Sequence, residues 1–209
     1  MKRIFLHTLT IRIWHWVNAG IVILLTVTGI QLRVPGISIL GAYGSAVLLH
    51  KYAGFAMAAS FLLWLGYSVI SRNLRQNYLV RGKDITSLYR QARFYMFGIF
   101  MGDENPFTPS ASDKFNALQK IAYGSVMFLF TPIMVITGVL FSDMFYFRTV
   151  IELIRGPRVL DAIHVIVAYV FLLYLVVHIY MSTLGGSALS HIKAMLSGYE
   201  EEPDENSEQ

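Results

Sequence analysis

Apolar runs free of formal charge alternate with polar connections along the chain. Ile13 to Leu32, Tyr52 to Ser71, Ile121 to Ser142 and Ala162 to Ile192 contain no Lys, Arg, Asp or Glu. Each reaches the roughly 20 residues that a helix needs to cross a bilayer. The pattern predicts an all-α integral membrane protein, a four-transmembrane-helix bundle with spans over about 10–32, 45–71, 115–141 and 158–184. The apolar part of the first span is longer than a signal-peptide core and no small-residue cleavage pattern follows it, so the span is expected to be retained. Between the second and third spans, Ile85, Leu88, Tyr89, Ala92 and Met96 recur at helical spacing after Asp84, a candidate N-cap. That predicts an amphipathic helix on the membrane surface, with residues 103–112 as its turn-rich exit. Thr131 and Pro132 predict a kink in the third span.

Composition supports this reading: 55% of residues are hydrophobic and 14% charged, against about 25% charged in soluble domains. Basic residues gather at Lys2, Arg3 and Arg12 and again at Arg72, Arg75, Arg81, Lys83, Arg90, Arg93 and Lys114. By the positive-inside rule both regions are cytoplasmic, giving an N-in/C-in chain in a bacterial or archaeal cytoplasmic membrane. Beside four spans, the basic connection does not argue for a nucleic-acid partner. Six of the thirteen acids lie in residues 200–209. This predicts a disordered acidic tail following a single membrane domain over residues 1–199. The chain has no cysteine, which excludes thiolate-held iron-sulfur clusters, Cys-x-x-Cys-His haem attachment and internal disulfides. If the protein moves electrons, histidine must hold the cofactor.

His164 and His178 lie fourteen residues apart in the last span. On an α-helix that spacing advances roughly 21 Å and falls about 40° short of four full turns, so both imidazoles leave one face at two depths. One histidine inside a span could be a polar group satisfied by a neighbouring helix. Two at this spacing point to function, because such groups are costly in lipid. With the spans running alternately in and out, His50 shares the outer leaflet with His164, and His15 shares the inner leaflet with His178. Two facing imidazole pairs are what two six-coordinate b haems require, and helix bundles build such sites from facing side chains. His7 and His191 fail this geometry and are assigned to the surface.

Other residues fit around that frame. Gly29 follows His15 by fourteen residues, Gly54 follows His50 by four, and Gly124 and Gly138 are again fourteen apart. Each could clear space for a macrocycle, although glycine also serves helix packing. Arg12 and Arg33 are candidates to neutralise haem propionates or to anchor helix ends at the interface. Trp14 and Trp16 read as an interfacial aromatic belt. Asn116, Gln119 and Lys120, at the entrance of the third span, read as helix-capping groups and a snorkelling lysine.

The chain resembles the membrane cytochrome b family that includes gamma subunits of respiratory formate dehydrogenases, b-type cytochrome subunits of nickel-iron hydrogenases and cytochrome b subunits of thiosulfate reductases. Its carriers span all four helices. They are Arg12-x-x-His15-Trp16 with Thr28-Gly29, His50 with Gly54, Lys114-Phe-Asn116-Ala-Leu-Gln119-Lys120 with Thr137-Gly138, and His164 followed by His178-Ile-Tyr-Met. Ala194-Met195 and Gly198 continue the likeness. The resemblance implies two b haems, held by His15 with His178 and by His50 with His164, and electron exchange with quinone at the inner surface. In the formate dehydrogenase branch the residue corresponding to Asn116 lies at the quinone site. His178 or a nearby group is a further candidate to bond the quinone oxygen, with Asn116 and Lys120 assisting. That branch usually has glycine where this chain has Leu118, and the chain's length fits a thiosulfate-reductase-like or unassigned branch better.

The expected function is therefore a dihaem cytochrome b subunit linking a partner redox subunit to the quinone or menaquinone pool. The partner would carry the catalytic iron-sulfur, multihaem, molybdenum or nickel-iron centre, for which this chain has no ligands. Its rivals are a stand-alone transmembrane reductase and a non-haem anchor or transporter subunit.

Overall fold

The computed structural model describes residues 2–34, 36–71, 82–107, 115–183 and 189–202. In chain order the elements are β1 (Lys2–Phe5), α1 (Leu9–Arg33), α2 (Tyr43–Ile70) and α3 (Gly82–Arg93), which runs on through a π turn, Phe94–Gly98. They continue with α4 (Ala117–Ser142), α5 (Arg148–Leu153), α6 (Pro157–Ser182), α7 (Ser190–Ser197) and β2 (Tyr199–Glu202). Helices α1, α2, α4 and α6 are long and apolar enough to cross a membrane. The protein is an all-α membrane bundle, to which the described residues add one two-stranded ribbon.

Two compact units divide the chain. One comprises residues 10–65 and 129–181, and the other residues 1–9, 66–128 and 182–209.

The first unit contains most of the four spans and is built inside out relative to a soluble bundle. In the most apolar windows of the spans only 6–22% of residues are buried within the protein. Leu62, Leu63, Ile166 and Leu173 face outward, while Ala46, Ala53, Asn18, Thr28, Gln31 and Thr137 are buried. Lipid solvates leucine as well as a protein core does, so helix contacts fall to small residues and to polar groups that find partners. Asn18 Nδ2 donates to Ser60 Oγ at 2.8 Å, and Trp14 stacks on Trp64 at 5.8 Å. Trp14 is therefore a helix-packing residue and not the belt residue that its neighbourhood suggests. These contacts set α1 antiparallel to α2. A small apolar cluster of Leu140, Ile151 and Leu160 joins α4, α5 and α6.

In the second unit, α7 ends at Gly198, whose φ of +93° puts it in the left-handed C-cap conformation. Its carbonyl accepts from Leu6 N at 2.9 Å and His7 N at 3.2 Å. Beyond it β2 pairs antiparallel with β1, in a register that sets Lys2 against Glu202 and Arg3 against Glu201. Residues 200–202 thus form a strand, where charge density alone predicts disorder. The rest of the acidic tail, and Arg72, Arg75, Arg81 and Lys114 of the basic connection, lie outside the described residues.

Helix α3 occupies the place of the predicted amphipathic helix, with Ile85, Tyr89 and Met96 exposed. Asp84 does not cap it: it sits inside the first turn and its side chain is buried. Within α4, a π turn over Val126–Phe130 precedes Thr131 and Pro132. Pro132 has no N–H for the carbonyl four residues earlier, and the wider turn accommodates that loss. The wheel that puts Gly124 and Gly138 on one face assumes an unbroken α-helix, and the π turn removes that premise.

Candidate functional site

Both histidine pairs form, and both lie in the unit that contains most of the four spans. His15 on α1 faces His178 on α6 with ring centroids 6.1 Å apart, and His50 on α2 faces His164 on α6 at 6.3 Å. Helix α6 is continuous from Pro157 to Ser182, so the fourteen-residue spacing separates the two pairs by roughly 21 Å along its axis. A first-row metal midway between two imidazoles, about 2 Å from each coordinating nitrogen, would set the ring centroids roughly 6 Å apart. Both pairs have that opening. Among the described residues no three metal-ligating side chains converge. Paired imidazoles match an iron whose other four ligands come from a porphyrin.

The polar surroundings of the two pairs differ. Thr28 Oγ1 lies 2.8 Å from His50 Nδ1 and also donates to Leu24 O at 2.7 Å. Thr137 Oγ1 lies 2.8 Å from His164 Nδ1 and donates to Ile133 O at 2.7 Å. Each hydroxyl has one proton. With that proton on the carbonyl of the preceding turn, the oxygen accepts from Nδ1–H, leaving the Nε2 lone pair of each histidine available to a metal. His15 Nδ1 is buried and has no hydrogen-bond partner among the described residues. Aromatic rings pack against three of the four: Trp16 on His15, Tyr174 on His178 and Phe141 on His164.

The glycine after each threonine completes the cradle. A Cβ at Gly29 would meet His50 Cε1 at 3.4 Å, and one at Gly138 would meet His164 Cε1 at 3.8 Å. Both are ordinary van der Waals distances, so each glycine lies directly beside the edge of its histidine. Gly54 has open space beside it, with nothing within 4 Å of a built Cβ.

Sequence comparison agrees with this geometry. Residues 6–198 match the family described as prokaryotic cytochrome b561. The Escherichia coli (strain K12) protein named "Putative cytochrome YdhU" is 32% identical over 210 residues, covering 95% of this chain and 75% of its own length. The chain belongs to the prokaryotic cytochrome b561 family. It is a prokaryotic membrane cytochrome, of a family that carries b-type haem and transfers electrons across the bilayer.

The other candidate residues of this cytochrome divide by environment. Arg33 pairs with Asp161 at 3.2 Å, both side chains about half exposed. Arg12 is the contrast, because its Nε is buried and without a hydrogen-bond partner among the described residues. Asn116 is the N-cap of α4 in a reciprocal capping box with Gln119, and its Nδ2 donates to Tyr95 Oη at 3.1 Å. Lys120 does not snorkel: it is buried and ion-paired with Asp84. Gly124 lies in the first turns of the same helix. His7 and His191 belong to this second unit and are partly buried, so neither is the free surface residue that its position suggests.

Sequence reasoning missed Thr28 and Thr137 as partners of the histidines. The available signal was the Thr-Gly dipeptide recurring in two spans, each on a helix that neighbours a histidine.

Proposed function

We propose that this cytochrome binds two b haems, one between His15 and His178 and one between His50 and His164, and carries electrons between a partner redox subunit and the quinone pool. The observation that carries the reading is the pair of imidazole openings of 6.1 and 6.3 Å, placed at two levels of one continuous helix. Bound haem would supply reversible one-electron carriage at each level. The chain's own residues do the rest. Helices α1, α2 and α6 hold the half-buried imidazoles of each pair 6.1 and 6.3 Å apart. Arg12 would offset the propionate charge of the His15/His178 site, whereas Arg33 is held against Asp161. Gly54 leaves room beside α2.

Quinone exchange is assigned to the entrance of α4, where Asn116 is bonded to the half-buried Tyr95 and Lys120 is enclosed against Asp84. The catalytic centre then belongs to a partner with its own iron-sulfur, multihaem, molybdenum or nickel-iron site. The cytoplasmic membrane of a bacterium or archaeon is the expected location, both termini facing the cytoplasm.

The decisive measurement is the dithionite-reduced minus oxidised spectrum of the purified chain, with haem quantified as its pyridine complex. Two b haems per chain are expected. A ratio near one would remove one histidine pair from the proposal, and the absence of b-type bands would overturn it.

A further inference from the structure

Resting on the dihaem reading, we infer that Thr28 and Thr137 are positioning residues that set the redox potential of one site only, the His50/His164 pair. Each hydroxyl is anchored by donating to a carbonyl of its own helix, Leu24 O at 2.7 Å for Thr28 and Ile133 O at 2.7 Å for Thr137. What each presents to the neighbouring helix is therefore an acceptor, 2.8 Å from Nδ1 of His50 or His164. An imidazole whose Nδ1–H is held this way is fixed in one tautomer and becomes the more basic ligand through its other nitrogen. A more basic ligand favours the oxidised, more positive iron and lowers the potential. With haem bound, two such ligands would act on one iron, Thr28 of α1 through His50 and Thr137 of α4 through His164.

The other pair lacks the matching device on at least one side, because His15 Nδ1 has no hydrogen-bond partner among the described residues. The two levels of α6 therefore offer chemically unequal sites. Thr28 and Thr137 are deeply buried, so water cannot take over their part once the hydroxyl is removed.

The experiment is spectroelectrochemistry on the full chain, comparing the unsubstituted protein with Thr28→Val/Thr137→Val and Thr28→Ser/Thr137→Ser. Valine keeps the shape and loses the acceptor, whereas serine keeps the hydroxyl. In the valine variant one of two b-type waves should move upward by up to a tenfold loss of preference for the oxidised state, about 59 mV for one electron. The second wave should stay in place, and the serine variant should retain both potentials. If the valine variant instead sheds one haem while the serine variant keeps two, the hydroxyls hold the ligands and the inference stands. Two unmoved waves at full haem content would overturn it, as would a shift that serine reproduces. Failure of the dihaem reading itself would show separately, as a haem ratio below two in the unsubstituted protein.

Discussion

Lys120 Nζ stands 2.9 Å from Asp84 Oδ1, with the lysine side chain fully enclosed and the aspartate side chain only 7% exposed. The pair ties the first turn of α3 to the first turn of α4, across 36 residues of sequence. Removing one member takes from the other its oppositely charged neighbour at 2.9 Å in a buried site, which costs more than the pair contributes. Replacing Lys120 by Met should destabilise the protein by about 3–5 kcal/mol. Combining it with Asp84→Leu should recover most of that loss, since two apolar residues can substitute for a buried ion pair. Thermal unfolding in detergent, followed by helical circular dichroism, measures both. A double variant no more stable than Lys120→Met would refute the argument.

The histidine pairing was legible in the sequence because it depends on helix rise and rotation, which belong to the backbone and vary little. His15, His50, His164 and His178 needed only four spans and their alternating directions. The environment of Lys120 was not legible. A lysine at a span boundary ordinarily extends to the interface, and nothing local signals that Asp84 folds over it. Trp14 misled for the same reason, since its stacking partner Trp64 is fifty residues away. Thr28 and Thr137 look ordinary in a helix, where a threonine hydroxyl commonly bonds the preceding turn. Only the positions of α2 and α6 reveal the second contact each one makes.

Because each proposed haem uses its own two histidines, the sites should be lost independently. His50→Ala and His164→Ala should each leave roughly half the haem, as one iron takes one bis-histidine pair. The surviving spectrum should be the same in both. His15→Ala and His178→Ala should leave the complementary spectrum. Loss of both haems from every single substitution, in protein that remains folded, would mean that the pairs do not act separately.

Asn116 has a capping role that must be separated from any part in quinone exchange. Its Oδ1 accepts from Gln119 N at 2.9 Å, so Asn116→Ala should cost about 1 kcal/mol. Asn116→Asp keeps that acceptor, with its negative charge at a favourable helix end, but removes the Nδ2 donor now bonded to Tyr95. Stability should therefore fall in the alanine variant and be largely retained in the aspartate variant. Haem reduction by a quinol should slow in both if the amide donor serves quinone. An aspartate variant with unchanged quinol kinetics would confine Asn116 to capping.

Arg12 and Arg33 were equivalent candidates for propionate contacts, and their surroundings now separate them. Arg33 already has Asp161, and both side chains are about half exposed. Such a pair is worth at most about 1 kcal/mol, so Arg33→Gln should change stability little and leave both haem potentials near their starting values. Arg12 is one helical turn before His15, and its Nε is buried with no hydrogen-bond partner among the described residues. A cation near an iron disfavours the oxidised, more positive state and raises its potential. Arg12→Gln should therefore lower the potential of the His15/His178 site, by up to about 59 mV for a tenfold change in the one-electron equilibrium. Arg12→Lys should retain most of the original value, since it keeps the charge. Potentiometry on the three variants decides the matter, and a lysine variant that falls as far as the glutamine variant would show that charge is not the cause.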